Sequence, residues 1–296
     1  MTDVITASEI NINEIAEQPK SFEVPWLSVV IPTYGVKGIE LTRNCITTLY
    51  KTHAHLMPEA LVVSDGDDGA VLEALKSMAA ELHFGLIRID RHGFAAACNA
   101  GIRMANGQMG CFLLNNDLEF ETPALQILTD AMVTAGAGVI GCRLLYPDRT
   151  IQHAGVVFVS APPGSGVPGY FDHYLRFQEE NHIDAVVMRR GLVTGACLGI
   201  SRDFIERSGY LDERFGFTCE DVDLNLRAFE CGLPPIYCGY VSVLHLEGAS
   251  RGKTLEEKMK LEPEIAAKEQ ASLRFLFTKY VGLDFSRFSV RDQRVE

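Results

Sequence analysis

The sequence holds one tryptophan in 296 residues, no cysteine pair at CxxC spacing, and no apolar run approaching a membrane helix, which needs roughly 20 residues. The commoner zinc and dithiol redox motifs are thereby excluded, as is a helical membrane span. Basic residues are scarce as well: 27 Lys and Arg face 39 Asp and Glu, a net charge of −12. A broad nucleic-acid surface needs clustered cations, so no nucleic-acid partner is expected. Met1 to Lys20 carries several acids and no apolar core segment, so it does not read as a secretory signal. What is present is 47% hydrophobic residues, enough to bury a sizeable core. Eight cysteines are scattered among apolar neighbours and read as buried free thiols in a reducing compartment. A soluble cytoplasmic protein is the expectation. The charge is uneven: residues 251–296 carry 10 basic and 8 acidic side chains, the preceding 250 carry 17 and 31. The basic end can serve a local anionic ligand.

Residues 1–25 read as a loose, polar lead-in closed by Pro25. A regular alternation then starts. Leu27–Ile31, Ala60–Val63, Gly85–Ile89 and Cys111–Leu114 are short apolar runs that predict strands. Residues 39–51, 71–80, 94–104 and 123–134 have helical periodicity between and after them. Strands of this length alternating with helices predict an α/β fold on a mainly parallel sheet over 26–145. The rhythm changes over 146–253. Strands are expected within 151–159, at 196–200 and near 235–238, with a helix at 220–231 and a Pro/Gly/Ser loop at 160–169. A final segment, 254–296, is expected to be helical over 254–280, with an apolar face that packs on the domain or meets a membrane.

Ligands of open parallel sheets collect at the carboxyl ends of strands. Those ends carry Pro32-Thr33-Tyr34, Ser64-Asp65-Gly66, Arg91-His92-Gly93 and Asn115-Asn116-Asp117. Asp65 can accept from a base or ribose, or form an Asx turn that caps the next helix. The small residues from Gly93 to Gly101 admit close approach of a ligand or of a strand. That segment lacks the spacings of a dinucleotide fingerprint or a P-loop. Asn115-Asn116-Asp117 is either an oxygen-rich grip for Mg²⁺ or Mn²⁺ or a polar turn. Glu220-Asp221 opens a helix, where the free N–H groups favour ionised carboxylates. A general base and a simple cap, with an Asp223–Arg227 pair, are both open there. His245 can complete a metal shell or be structural.

Taken in order, Val-Val-Ile-Pro-Thr-Tyr (29–34), Val-Val-Ser-Asp-Gly (62–66), Gly-Phe-Ala-Ala-Ala-Cys-Asn-Ala-Gly-Ile (93–102), Leu-Leu-Asn-Asn-Asp (113–117), Thr-Gly-Ala-Cys-Leu-Gly-Ile (194–200) and Glu-Asp-Val-Asp-Leu (220–224), closed by His245, resemble the inverting glycosyltransferases of family 2. A rhamnosyltransferase-like branch fits the same series. The resemblance spans residues 27–253 and implies a GT-A, Rossmann-like fold, with 26–145 as nucleotide-binding half and 146–253 as acceptor-side half. It implies that Pro32, Thr33, Tyr34 and Asp65 line the nucleotide pocket, with Gly93 and Asn99 near ribose and phosphates. Asn115-Asn116-Asp117 stands at the family's DxD position, with Asn115 in place of the usual first acid. Asp117 and His245 are then the metal ligands for Mn²⁺ or Mg²⁺.

By the same resemblance Asp221 matches the catalytic base and removes a proton from an acceptor hydroxyl in a single displacement. Thr194, Gly195, Ala196 and Glu220 would floor the sugar and acceptor site, and Arg251 and Lys253 would steady the diphosphate. The partners implied are a UDP- or dTDP-linked sugar and a carbohydrate or lipid-linked glycan, which would bring a cytoplasmic protein to the inner face of a membrane. Two rivals stay in view. A nucleotidyltransferase would want a Gly-rich basic loop after the first strand, which Pro32-Thr33-Tyr34-Gly35 does not offer. A non-catalytic sugar-nucleotide-binding module would not need Asp117, Asp221 and His245 together.

Overall fold

The computed structural model of the protein describes residues 26–246 and 264–289. The first half alternates as expected: β1 Ser28–Thr33, α1 Gly35–His53, β2 Glu59–Asp65, α2 Gly69–Leu82, β3 Gly85–Ile89, α3 Phe94–Met104 and β4 Gly110–Leu114. Then come β5 Leu118–Glu119, α4 Ala124–Ala135, β6 Val139–Leu145, β7 Ile151–His153, β8 Val156–Ser160, β9 Gly169–His173 and β10 Met188–Arg190. The last described elements are β11 Cys197–Ser201, α5 Arg202–Ser208, α6 Glu220–Glu230, β12 Ile236–His245, α7 Ile265–Lys279 and a 3₁₀ turn at Phe285–Phe288.

Ten strands form one sheet whose main path runs β10-β12-β6-β11-β4-β1-β2-β3. Strands β4, β1, β2 and β3 are mutually parallel. Beyond β4 the sheet is mixed: β11 lies antiparallel between β4 and β6, and β12 runs parallel to β6. Both faces are covered, which accounts for the continuous apolar runs. Val29 and Ile31 join Ile46, Leu49, Leu75, Met78 and Leu125 on one face. Val30 joins Ala96, Ala97, Phe204 and Leu224 on the other, as period-two alternation requires. The small residues of α3 are used for packing: a Cβ on Gly101 would lie 2.2 Å from Val30 Cγ1.

Five elements lay outside the expected set, the two-residue β5 and the 3₁₀ turn among them. Helix α5 is too short to show periodicity, but Ser201 caps it by accepting from the Phe204 N–H. Strand β9 pairs with β8 across the Pro/Gly-rich loop, so that loop is the connection of a hairpin. Strand β10 is a three-residue edge on β12. Strand β12 runs to His245, well past the expected 238, through a register shift between Cys238 and Ser242. The expected helix over 254–280 is seen as α7, and 254–263 lies outside the described residues. Leu276 is fully buried beneath α7, and Phe277 contacts Phe158 and Phe171 of the β8–β9 hairpin. The apolar face of α7 therefore packs on the domain. No helix among the described residues is long and apolar enough to cross a membrane.

Candidate active site

The carboxyl ends of β1, β2 and β4 gather the expected residues, and hydrogen bonds show how each is held. Asp65, 5% exposed, accepts from the backbone N–H of His92 at 2.8 Å and of Gly93 at 3.0 Å. The Arg91 guanidinium donates to the same carboxylate at 3.0 Å and lies 3.5 Å from the centre of the Tyr34 ring. Asp65 therefore braces the loop that opens α3, where Gly93 takes a φ of +96° that favours glycine. Arg91 was named in the sequence only as part of a strand end and was given no role of its own. Asp67, in the same strand-end run as Asp65, was likewise given no role: it accepts from the Gly35 N–H and the Ser64 hydroxyl, at 2.8 and 2.9 Å, and ties the first two strand ends together.

Thr33 and Asn116 face each other. Asn116 Nδ2 donates to Thr33 Oγ1 at 3.1 Å and to Thr42 Oγ1 at 3.3 Å, so this amide buttresses the start of α1. Pro32 sits within β1 opposite Val63. Asn99 is 1% exposed and spent on protein: it accepts from the Leu211 N–H at 2.9 Å and donates to the Leu211 carbonyl and Glu213 at 2.9 and 2.7 Å. Its observed partners are the 209–219 loop rather than the expected ribose and phosphate region.

Asp117 and His245 meet. The pairing of β5 with β12 sets His245 opposite Leu118, beside Asp117 in the chain. His245 Nε2 lies 3.0 Å from Asp117 Oδ1 and 3.2 Å from Asn115 Nδ2, and both His245 and Asp117 are buried. On the other side of the ring, Nδ1 is 2.6 Å from Gln152 Oε1, while Gln152 Nε2 faces the His245 carbonyl. That arrangement assigns the proton to Nδ1 and leaves the Nε2 lone pair turned towards a carboxylate. Two acceptors at that separation repel unless a proton or a metal ion lies between them. Adjacent octahedral ligands at about 2.1 Å from a metal also stand about 3.0 Å apart. The pair fits Mn²⁺ or Mg²⁺ as two protein ligands of a larger shell, although no group of three His, Cys, Asp or Glu side chains suited to a metal occurs among the described residues. Gln152, absent from the sequence-derived set, holds the ring in the required tautomer.

Asp221 lies on the next segment. The Asn115 N–H donates to the Ala196 carbonyl at 2.8 Å, and the Gly195 N–H donates to Asp221 Oδ2 at 2.8 Å. Thr194-Gly195-Ala196 thus bridges the Asn115–Asp117 turn to the start of α6, where Glu220 precedes Asp221. Burial pushes the Asp221 carboxyl above its ordinary value, opposed by the N–H groups of Gly195 and Val222 and by the Thr194 hydroxyl. Asn225, fully buried, exchanges hydrogen bonds with both backbone groups of Val193 and donates to the Asp221 carbonyl. The expected Asp223–Arg227 pair is present at 2.9 Å, alongside the carboxylate at 221 rather than in place of it. Arg251 and Lys253 lie outside the described residues.

The doubly covered, largely parallel sheet is of the GT-A type. Residues 28–205 match the family described as Glycosyl transferase family 2. This match takes in more than half of the chain, which therefore belongs to that family. The O-antigen biosynthesis protein RfbC of Myxococcus xanthus is 29% identical over 235 residues, 77% of this chain and 18% of that protein. An uncharacterised protein, y4gI of Sinorhizobium fredii (strain NBRC 101917 / NGR234), is 27% identical over 253 residues, 81% of this chain and 27% of its own length. The chain thus spans well under half of these relatives. Among solved structures, the mannosyltransferase PcManGT from Pyrobaculum calidifontis, in complex with GDP-Man and Mn²⁺, has a TM-score of 0.51 at 14% identity, over 88% of this chain and 77% of that one. This likeness is one of fold.

Proposed function

We propose that the protein transfers a sugar from a nucleoside-diphosphate sugar to an acceptor hydroxyl with inversion, Asp221 acting as general base. The observation that carries this reading is the Thr194-Gly195-Ala196 bridge, which fixes Asp221 relative to the Asp117–His245 pair through two backbone hydrogen bonds of 2.8 Å. Asp221 Oδ2 accepts from Gly195 and Oδ1 from the Val222 N–H, so the carboxylate is oriented before any acceptor arrives. Its raised affinity for a proton strengthens it as a base towards an acceptor hydroxyl. Asp117 and His245 would hold Mn²⁺ or Mg²⁺, which when bound offsets the charge developing on the diphosphate leaving group. Gln152 turns the His245 Nε2 lone pair to that role, and Asn115, whose amide nitrogen lies 3.2 Å from Nε2, contributes an amide where a carboxylate would add charge. Tyr34 and Arg91 form a flat stacked surface that suits the nucleobase, with Asp65 fixing the loop beneath it.

The solved mannosyltransferase, bound to GDP-Man and Mn²⁺, supports a nucleotide-sugar donor and a divalent ion. The O-antigen relative supports a glycan acceptor in polysaccharide or glycoconjugate synthesis. Eight free cysteines suit a reducing, cytoplasmic setting. The test is donor hydrolysis and transfer with UDP-, dTDP- and GDP-linked sugars in Mn²⁺, Mg²⁺ or EDTA. One donor class turns over with metal and stops with EDTA, and Asp117→Ala loses that metal response. Full turnover in EDTA, unchanged in Asp117→Ala, overturns the metal assignment.

A further inference from the structure

The first turn of α6 is held on two sides. Residues two apart on a helix point about 200° away from each other, so Asp221 and Asp223 face opposite directions. Asp221 meets Gly195. Asp223, fully buried, meets α7: its Oδ1 lies 2.5 Å from Lys279 Nζ and accepts from the Tyr280 hydroxyl at 2.9 Å. The other oxygen, Oδ2, takes Arg227 Nε at 2.9 Å. Lys279 Nζ also lies 2.8 Å from Asp212 Oδ2, which receives Arg214 at 2.6 Å. Asp212 belongs to the 209–219 loop that leads into α6, the same loop that Asn99 holds from α3. That loop ends on Cys219, a residue with a side chain at a φ of +73°, immediately before Glu220-Asp221. Such a conformation persists only where its surroundings determine it.

We infer that Lys279, the last residue of α7, and Tyr280, which follows it, are positioning residues for the catalytic base, clamping the entry of α6 through Asp223 and Asp212. The inference rests on the reading of Asp221 as base. Lys279 joins the loop and the helix on either side of Cys219 from α7, while Arg227 joins them from within α6 through Asp223 and the Tyr210 carbonyl, so the Lys279 ammonium helps to fix the direction in which α6 starts and with it the Asp221 carboxylate. A loss of this clamp lets the base drift while the Tyr34–Arg91 surface and the Asp117–His245 pair stay intact. The signature is therefore in kcat rather than in donor KM.

The test is a steady-state comparison of the full chain with Lys279→Met, Lys279→Arg and Tyr280→Phe, each also made in an Asp221→Asn background, with thermal midpoints recorded alongside. Lys279→Met lowers kcat about tenfold to a hundredfold and leaves donor KM little changed, and Lys279→Arg recovers most of the loss. In the Asp221→Asn background, itself strongly impaired, Lys279→Met costs almost nothing further, because both changes act on one group. If Lys279→Met does not fold, Tyr280→Phe, which removes one hydroxyl, reads the same split at smaller amplitude. An unchanged kcat in the folded variants, or a full additive loss on top of Asp221→Asn, overturns the clamp while the base reading stands. An Asp221→Asn enzyme with wild-type kcat overturns the base reading, and the clamp with it.

Discussion

Asp221 combines two properties that single-sequence reading could not separate from ordinary helix capping. Its carboxylate accepts from the Gly195 and Val222 N–H groups, yet burial still raises its proton affinity above its ordinary value. A base must be deprotonated to act, so activity falls as pH drops through this raised value. The acidic limb of a kcat–pH profile is expected at higher pH than an ordinary carboxylate would give. Asp221→Asn, nearly isosteric, removes that limb and lowers kcat by about 10²–10⁴, while donor-nucleotide binding measured by calorimetry is retained. An acidic limb that survives in the variant would assign it to another group. The other residues divide by what their side chains touch. Asp117 and His245 face each other as the motif order implied, whereas Asn116 and Asn99 are occupied by protein groups. Hydrogen-bond partners three or more elements away have no local trace in a sequence, which is why these amides read as ligand-facing.

The decisive elements are α6 and the irregular segment before β11. Asn225 Oδ1 accepts from the Val193 N–H at 3.0 Å, and its amide donates to the Val193 carbonyl at 2.9 Å and to the Asp221 carbonyl at 2.6 Å. The two bonds to Val193 are buried, so Asn225→Ala leaves both backbone groups of Val193 unpaired at about 1–3 kcal/mol each. A urea unfolding midpoint should fall accordingly, and transfer should fall further than stability alone explains, because Gly195 then loses its alignment with Asp221. A variant as stable as wild type would show that Val193 has other support. Elements with strong periodicity were legible: β3 and α3 coincide with their expected limits at Gly85–Ile89 and Phe94–Met104. Those defined by partners were not. Strand β12 extends through Gly239 and Ser242 because β5 and β6 pair with it, and α5 depends on the Ser201 cap more than on an apolar stripe.

At the scale of the whole molecule, the parallel half of the sheet was legible because both of its faces are covered and its strands are continuous apolar runs. The mixed half was legible in part: β7, β8, β11 and α6 fall where strands and a helix were expected, whereas β9 and β10 gain their conformation from a hairpin and an edge pairing. The site was readable as an ordered set of strand-end motifs, and its wiring only in three dimensions: Gln152 behind His245, Arg91 on Tyr34, and the Thr194–Ala196 bridge. In the proposed reading that wiring would set a base, Asp221, on one side of the reacting centre and the Asp117–His245 pair at the leaving group, an arrangement for a single displacement. The anomeric configuration of the transferred sugar, followed by proton NMR from the first turnovers with the donor found in the screen, tests this most directly. The account predicts a product linkage opposite in configuration to the donor's sugar–phosphate bond. A product that retains the donor configuration would contradict it.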